Sequence, residues 1–275
     1  MKQIIPPLVL IYSALAPHLT AHLAQGLFLK PKRYPLSAKE QALIAKSKKE
    51  VLQSGRVAYL WGDETQPTIA LLHGWESRAA AFFKWVPLLV ESGFSVLGWD
   101  APAHGQSPGS RTTAPEMARA FADDLHELGL SLHGIIGHSM GGVVAGLLPR
   151  YNIQTPYITI VSSPSHIRGV FERYHDQIRL QKRARKIFQQ SLEKRTGIDI
   201  EKGSLVNNDL SLKSKVLVIH DLEDREVPFS DFQELQKTWS KAQFVATHGL
   251  GHRRILRDEA VGYQIADFFK SAISI

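Results

Sequence analysis

The chain has 275 residues, a length that suits one large domain or one domain with an insertion. It contains no cysteine, so disulfide bonds, thiolate metal sites and a cysteine nucleophile are excluded. The net charge of +7 permits an anionic partner without requiring one.

The first 33 residues are apolar and then basic. Their apolar part is interrupted by Pro6-Pro7, and it is followed by the cationic stretch Lys30-Pro31-Lys32-Arg33. This pattern is compatible with a helix docked on the body of the protein, with an anchor to a membrane surface, or with a cleaved signal peptide whose short positive region is Lys2. We favour the docked helix and a cytoplasmic location, and peripheral membrane contact through residues 1–33 stays open. No apolar run is long enough for us to expect a spanning helix.

Helices and strands alternate along most of the remaining chain. Ser37, with Glu40 three residues later, has the spacing of a capping box and predicts a helix over residues 37–53. Short apolar runs predict buried strands, and amphipathic periods predict the helices between them. We expect strands at 56–61, 68–72, 94–99, 133–138, 157–161, 215–220 and 243–247, and further helices at 79–90, 114–128, 232–239 and 259–271. The alternation predicts an α/β fold in which helices cover both faces of a mostly parallel sheet.

One interval breaks this alternation. Residues 164–212 separate two strands that a much shorter connection could join, and residues 167–195 within them look helical and strongly basic. We interpret the interval as a helical lid over the active edge, with ordinary exposed helices as the alternative. Aromatic residues are few there, so we expect no nucleic-acid partner. The predicted domains are an N-terminal helical extension (1–55) and an α/β domain (56–275) that carries the lid.

The stretch Gly137-His138-Ser139-Met140-Gly141 lies between a predicted strand and a predicted helix. A serine on so sharp a turn sits in strained backbone geometry, and the residues two before and two after it must be small. The helix that follows begins with unpaired N–H groups, which favour developing negative charge. The pattern predicts Ser139 as an exposed nucleophile, and a glycine-rich turn with an incidental serine is the alternative.

A nucleophilic serine needs a base within hydrogen-bond reach, and that base needs an orienting acid. His252 lies in a glycine-flanked loop after one late strand, and Asp224 follows the strand before it. The order serine, acid, histidine is expected for a nucleophile on a strand-to-helix elbow. Asp221 and Glu223 are rivals for the acid. His248 is the rival for the base, and we expect it to be structural because it lies nearer the strand.

These motifs resemble those of the α/β-hydrolase superfamily over residues 56–275. The matching segments are His73-Gly74, Asp100 to Ser107, Gly137 to Gly142, Asp224 with Val227-Pro228, and Gly251-His252. The resemblance implies an α/β-hydrolase fold, with Ser139 as nucleophile, His252 as general base and acid, and Asp224 as the orienting carboxylate. It also implies an oxyanion hole formed by the backbone N–H groups of Trp75 and Met140.

The type of nucleophile narrows the expected reaction. Dehalogenases and epoxide hydrolases of this superfamily carry aspartate at the elbow, so serine favours acyl transfer from an ester, thioester, lactone or amide to water. We expect a carboxylesterase-like or lipase-like serine hydrolase that works through an acyl-enzyme and needs no cofactor. We also expect no metal at His73, Asp100 and His104, because these residues match turn positions of the superfamily. The alternatives are a membrane-surface lipid hydrolase and a non-catalytic binding protein, and the same three residues would also suit a C–C bond hydrolase or a peptidase.

Overall fold

The computed structural model describes residues 5–271, and an eight-stranded sheet forms its centre. The strands in chain order are β1 (Lys48–Val51), β2 (Val57–Trp61), β3 (Thr68–Leu72), β4 (Ser95–Asp100), β5 (Leu132–His138), β6 (Tyr157–Val161), β7 (Lys215–Asp221) and β8 (Gln243–Thr247). Their order across the sheet is β1-β2-β4-β3-β5-β6-β7-β8. β2 is antiparallel to β1 and β4, and the strands from β4 to β8 are parallel. The predicted mostly parallel α/β sheet is therefore confirmed.

Helices surround this sheet. In chain order they are α1 (Ile5–Leu15), α2 (Pro17–Phe28), α3 (Ala38–Ile44), α4 (Trp85–Glu91), α5 (Ala114–Leu128), α6 (Met140–Leu147), α7 (Ile167–Gln177), α8 (Lys182–Thr196), α9 (Ile200–Gly203), α10 (Phe229–Thr238), α11 (Gly251–Arg254) and α12 (Glu259–Lys270). Within residues 5–271, no helix combines the length and the apolar character needed to cross a bilayer. The predicted features at residues 1–4, including Lys2, lie outside the described residues.

The sheet separates two apolar layers. Ile69 and Leu71 of β3 pack into one layer with α4 and α12, and Ala70 and Leu72 pack into the other with α5, α6 and α10. Successive side chains of a strand point to opposite faces, so this division places helices on both sides of the sheet. β3 and β6 are buried at every position, which explains why their sequences are continuous apolar and β-branched runs.

A third apolar cluster joins the N-terminal helices to the segment between β6 and β7. Ala21 and Ala24 of α2 pack against Ala184, Phe188 and Leu192 of α8, and all five side chains are buried. The small alanines let the two helices approach closely, and the aromatic ring fills the space between them. This cluster docks α2 on the body of the protein.

Arg33 fastens the chain that follows α2. Its guanidinium donates hydrogen bonds to the backbone oxygens of Ala103 (3.1 Å), Ser107 (2.7 Å) and Gly109 (3.0 Å). The planar group carries several fixed donors, so one side chain can satisfy three carbonyl groups. This contact holds the N-terminal segment against the loop that follows β4.

The helix predicted at residues 37–53 is only partly correct. Its capping box is present, and the Ser37 amide donates to the Glu40 carboxylate at 2.8 Å. However, α3 ends at Ile44, and Lys48–Val51 forms the antiparallel edge strand β1. Pairing with β2 gives this charged stretch backbone hydrogen bonds that outweigh its helical preference. The predicted boundary at residue 55 stays a prediction, although β1 on its N-terminal side extends the sheet.

The helix predicted at residues 79–90 is broken. Ala79–Phe82 forms a short 3₁₀ turn, and α4 begins only at Trp85. Pro87 explains the break, because a proline inside a helix lacks the N–H that the ladder needs. By starting at Trp85, the helix places Pro87 in its first turn, where no N–H partner is required.

The helix predicted at residues 167–195 is two helices, α7 and α8. Between them Arg179 adopts a left-handed conformation with φ of 57°, and the Leu180 amide donates to the His175 carbonyl at 2.8 Å. A left-handed residue ends a helix by turning its backbone aside. The turn lets α8 pack against α2, and the role of this segment as a lid stays a prediction.

Candidate active site

Ser139 occupies the turn between β5 and α6 in a strained conformation, with φ of 53° and ψ of −121°. Its amide donates to the Val161 carbonyl at 2.9 Å, and the Ser163 hydroxyl donates to the Ser139 carbonyl at 2.7 Å. Such a conformation persists only where the surroundings fix it, and these two bonds to β6 and the loop after it do so. The sequence does not reveal this hydrogen bond from Ser163, because Ser163 follows the neighbouring strand β6.

Two glycines make this turn sterically feasible. A Cβ at Gly137 would lie 2.6 Å from the Gly141 carbonyl oxygen, and a Cβ at Gly141 would overlap the Leu72 carbonyl. No side chain can therefore replace either hydrogen without moving backbone. The small residues predicted two before and two after the serine are required by close backbone approach.

The three predicted side chains lie in one hydrogen-bonded row. His252 Nε2 lies 3.0 Å from Ser139 Oγ, and His252 Nδ1 lies 2.7 Å from Asp224 Oδ2. With Nδ1 donating to the carboxylate, Nε2 can accept the serine proton. Asp224 and His252 are both almost completely buried, so this pair lies away from bulk water, whereas Ser139 is partly exposed. This arrangement can activate a serine hydroxyl for attack on an acyl group.

Asp224 is fixed and ionised by its surroundings. Its second oxygen, Oδ1, accepts the amides of Glu226 (2.8 Å) and Val227 (2.9 Å). Burial alone would raise the pKa of Asp224, but the hydrogen bonds from His252 and from these amides outweigh burial and lower it. The carboxylate therefore stays charged and faces the ring of His252.

Asp221, the predicted rival of Asp224 as the acid, does not contact the ring of His252. Its buried carboxylate accepts Gly251 N (2.8 Å), Leu250 N (3.0 Å) and the Thr247 hydroxyl (2.8 Å), and also the Glu223 amide. Burial opposes its ionisation, but these donors lower its pKa. Asp221 thus holds the loop that delivers His252 rather than contacting the ring. The feature of the sequence that could have indicated this role is the position of a carboxylate at the very end of a buried strand.

The other rival side chains point elsewhere. Glu223 lies 3.1 Å from His248, and the side chain of His248 is 77% exposed. This contact lies at the surface, and the structural role of His248 stays a prediction. Neither side chain is bonded to Ser139 or His252.

His138 fixes the backbone of His252. Burial and the nearby His252 lower the pKa of His138 to about 3, so its ring is neutral near neutral pH. Its Nε2–H donates to the His252 carbonyl at 2.9 Å, and the two ring centroids lie 4.8 Å apart. The residue before the nucleophile therefore restrains the residue that would act as base.

His73 and His104 lie together but face backbone groups. His73 donates from Nδ1 to the Gly74 carbonyl at 2.8 Å and accepts the Ala101 amide at 3.1 Å, and His104 donates from Nδ1 to the Pro102 carbonyl at 3.0 Å. Burial lowers the pKa of His73 to about 4 and that of His104 to about 3. Residues 5–271 contain no group of three or more His, Cys, Asp or Glu side chains arranged to hold a metal.

The amides predicted to form an oxyanion hole border the serine. Met140 begins the helix directly after Ser139, and a Cβ at Gly74 would lie 2.9 Å from the Cβ of Ser139, so the turn that carries Trp75 adjoins the nucleophile. Neither the Trp75 nor the Met140 amide donates to an acceptor within the part of the chain that the structure describes. Two unused donors beside a nucleophile can stabilise an oxyanion.

Two cavities meet at Ser139 and His252. One, of 240 Å³, is mostly apolar, and its wall includes Phe28 of α2, Phe171 of α7 and Leu192 of α8. Phe28 lies more than a hundred residues before the other two in the chain, so the sequence could not assign them to one wall. The cavity is suited to an apolar group bonded to the acyl carbon.

The second cavity, a charged groove of 790 Å³, is lined by the same two residues. It is polar, and its charged lining includes Lys30, Lys32 and Glu76. Ser139 and His252 therefore border both an apolar chamber and a charged groove.

Comparison of the sequence with known proteins finds relatives that are named as hydrolases. A serine hydrolase-like protein of Homo sapiens is 31% identical over 109 residues, which cover 38% of this chain and 53% of that protein. An sn-1-specific diacylglycerol lipase of Mus musculus is 39% identical over 89 residues, which cover 32% of this chain and 29% of the lipase. The chain thus spans about half or less of the length of these relatives.

The fold recurs in solved structures. A membrane phospholipase A, described as a bacterial virulence factor, aligns over the full length of both chains with a TM-score of 0.66 and 18% identity. An esterase from Exiguobacterium antarcticum aligns over 82% of this chain and 99% of its own, with a TM-score of 0.60 and 16% identity. These likenesses establish the α/β-hydrolase fold that the motifs implied.

One family model matches a continuous part of the sequence. Residues 63–208, more than half of the chain, match the model for serine aminopeptidase S33. The match includes Ser139 and the turn at Trp75, and it ends before Asp224 and His252. The chain therefore belongs to the serine aminopeptidase S33 family, within the α/β-hydrolase superfamily.

Proposed function

We propose that the protein is a serine hydrolase that cleaves a carboxylic ester, or a related thioester or lactone. The observation that carries this proposal is the row in which Ser139, His252 and Asp224 are joined at 3.0 and 2.7 Å. It is supported by relatives and structural neighbours named as lipase, phospholipase and esterase.

In the first half of the reaction, Ser139 Oγ attacks the acyl carbon as His252 Nε2 takes the hydroxyl proton. Asp224 stabilises the imidazolium that forms, and the amides of Trp75 and Met140 stabilise the oxyanion. The tetrahedral intermediate then collapses. The bond to the leaving alcohol breaks, and the alcohol departs with the proton from His252, which leaves an acyl-enzyme.

In the second half, water attacks the acyl-enzyme. His252 takes a proton from the water and returns it to Ser139 Oγ as the ester bond to the serine breaks. The carboxylic acid is released and the enzyme is restored. No cofactor enters either half of this scheme.

The two cavities support an orientation for the substrate. We place the acyl chain in the apolar chamber, since Phe171 and Leu192 offer it no hydrogen bonds, and the leaving group in the charged groove near Lys30 and Lys32. This assignment predicts a preference among acyl chain lengths that is set by a chamber of 240 Å³.

An ester fits the charged groove better than a peptide amine. Binding of a peptide N-terminus needs a free carboxylate, and the groove's Glu226 makes a two-point contact with Arg253 at 2.8 and 3.1 Å. Glu76 accepts hydrogen bonds from the Lys32 amide and the Tyr34 hydroxyl. The third glutamate of the groove, Glu40, accepts the Ser37 amide, so all three carboxylates are engaged and we favour ester over aminopeptidase activity.

The test is hydrolysis of p-nitrophenyl esters of increasing acyl length, beside aminoacyl p-nitroanilides. Wild type should hydrolyse the esters with an optimum length, and Ser139→Ala should lower kcat by about 10⁴-fold or more. Ser131→Ala is the matched control, because Ser131 is an exposed serine just before β5. Ester turnover that survives in Ser139→Ala would refute the assignment. Greater activity on the anilides would favour an aminopeptidase, and inertness of wild type toward both esters and fluorophosphonates would favour a binding protein.

A further inference from the structure

The exposed apolar side chains of this protein are concentrated on its first two helices. Within residues 8–271, eight of the thirteen exposed large apolar residues lie between Leu8 and Leu27. Scattered exposed leucines are ordinary on a protein surface, but a continuous patch marks an interaction site.

These side chains form a continuous stripe. In α1 the exposed residues at 8, 11, 12 and 15 have i, i+3, i+4 and i+7 spacing, and from residue 15 a leucine recurs every fourth position through α2. We define the leucine face as Leu8, Ile11, Tyr12, Leu15, Leu19, Leu23 and Leu27. The exposed fractions of Leu15, Leu19 and Leu23 are 78%, 60% and 60%. The opposite side of α2 is the one that packs on α8, so the leucine face points away from the body.

The charges carried by this N-terminal part of the sequence are of one sign. Residues 1–39 contain no aspartate or glutamate, whereas Lys2, Lys30, Lys32, Arg33 and Lys39 are basic. Apolar helices followed in sequence by a cluster of basic residues are typical of segments that bind anionic lipid surfaces.

The neighbouring helix α8 adds to this charge. Leu10 borders a shallow surface groove together with Arg179, Lys182, Arg185 and Asp176. Arg185 pairs with Asp176 at 2.6 Å, while Arg179 and Lys182 are exposed and form no ion pair with any residue from 5 to 271. A two-fold contact between copies of this chain would bring like charges together, whereas an anionic lipid surface would neutralise them.

The leucine face ends at the opening of the active site. Leu27 is 68% exposed, whereas the next residues, Phe28 and Leu29, line the apolar chamber beside Ser139. An apolar chain leaving a lipid layer at Leu27 would therefore meet the chamber wall within one residue.

We propose that α1 and α2 dock the protein on an anionic lipid surface through the leucine face, and that a lipid ester passes from that surface into the Ser139 chamber. The proposal rests on the ester hydrolase function proposed above. The substrate class that follows is an ester with a long acyl chain that resides in a lipid layer. The helices lie along the surface, with their apolar side chains among the headgroups and the upper acyl chains.

The test is sedimentation of the full chain with vesicles of phosphatidylcholine containing about 30% phosphatidylserine, at low and high salt. Wild type should pellet at low salt, less at high salt, and less with phosphatidylcholine alone. Leu19→Gln/Leu23→Gln should weaken vesicle binding about ten-fold or more, because two apolar side chains lose their contact with lipid. Leu212→Gln/Tyr263→Gln is the matched control, since these side chains are 61% and 52% exposed elsewhere, and it should bind as wild type does.

Hydrolysis separates docking from chemistry. Both double variants should hydrolyse soluble p-nitrophenyl butyrate within two-fold of wild type, which also shows that they are folded. On a phospholipid or diacylglycerol carried in the same vesicles, Leu19→Gln/Leu23→Gln should be about ten-fold slower than the control. Active wild type that fails to pellet at low salt would overturn the docking proposal, as would a concentration-dependent dimer that this variant abolishes without any vesicle binding. Wild type that pellets but hydrolyses no ester would leave the docking surface in place and overturn the hydrolase function.

Discussion

The edge of the sheet that carries Ser139 and the helical layer formed by α1, α2, α7 and α8 are stabilised by different forces. At the sheet edge, directed hydrogen bonds fix the groups around the nucleophile, as with the four that reach Asp221. In the helical layer, an apolar cluster around Phe188 supplies most of the contacts, and one face is left exposed. The sheet edge is thus suited to place atoms for a reaction, and the helical layer is suited to shape and supply the chamber.

Among the substitutions that test this difference between the two regions, we expect the largest effect on catalysis from a change at Asp224. Asp224→Asn keeps the size of the side chain but removes the charge that fixes the tautomer of His252, so kcat for p-nitrophenyl esters should fall by about 10⁴-fold. The fold should persist, and circular dichroism can check this. A loss of less than about ten-fold would show that Asp224 does not orient the base.

A substitution in the helical layer should instead lower the stability of the protein and leave most of its catalysis intact. Phe188 is completely buried, and its ring centroid lies 4.6 Å from that of His175. Phe188→Ala should lower the free energy of unfolding by about 3–5 kcal/mol, measured by urea denaturation, because it leaves a cavity between α2 and α8. Phe188→Leu should cost less, since more of the volume is retained.

The same variant should retain most of its chemistry. Under native conditions, the Phe188→Ala protein should hydrolyse p-nitrophenyl acetate within a few-fold of wild type, because an acetyl group needs little of the chamber wall. A collapse of acetate turnover in protein that is still folded would show that the helical layer also positions the reacting groups.

Asp221 should give a smaller effect on catalysis. Asp221→Asn replaces one acceptor oxygen with an NH₂ group that faces N–H donors, so the loop at Leu250 and Gly251 should shift and move His252. We expect kcat to fall about 10- to 100-fold with little change in KM, since displacement of a reacting group by about 1 Å has effects of this size. Thr247→Val removes only one of the four donors and should have a weaker effect. An unchanged kcat in Asp221→Asn would show that the loop needs no such support.

The features that could be predicted best from the sequence are those determined by residues close to one another in the chain. The turn around Ser139 is specified by glycines within two residues of it, and the ends of buried strands are marked by a change from apolar to polar residues. Because parallel strands end at one edge of the sheet, residues that follow β5, β7 and β8 could be expected to meet. The predicted fold and the closeness of Ser139, Asp224 and His252 both follow from such local signals.

Features that depend on contacts between residues far apart in the chain could not be predicted. The edge strand β1 is charged and mostly exposed, and only its partner β2 makes it a strand. The wall of the apolar chamber combines Phe28 with Phe171 and Leu192, which lie more than a hundred residues further along the chain. Such contacts depend on how α2 packs on α8, and no short pattern in the sequence encodes that packing.

The measurement that tests the central claim most directly is labelling with a fluorophosphonate, followed by peptide mass spectrometry. The reagent phosphonylates a serine only where a base and an oxyanion site activate the hydroxyl. We predict one adduct, on the peptide that contains Ser139, and no adduct in Ser139→Ala. Wild-type protein that gains no adduct, or gains it on another serine, would contradict the proposal that Ser139, His252 and Asp224 are the reacting groups of a serine hydrolase.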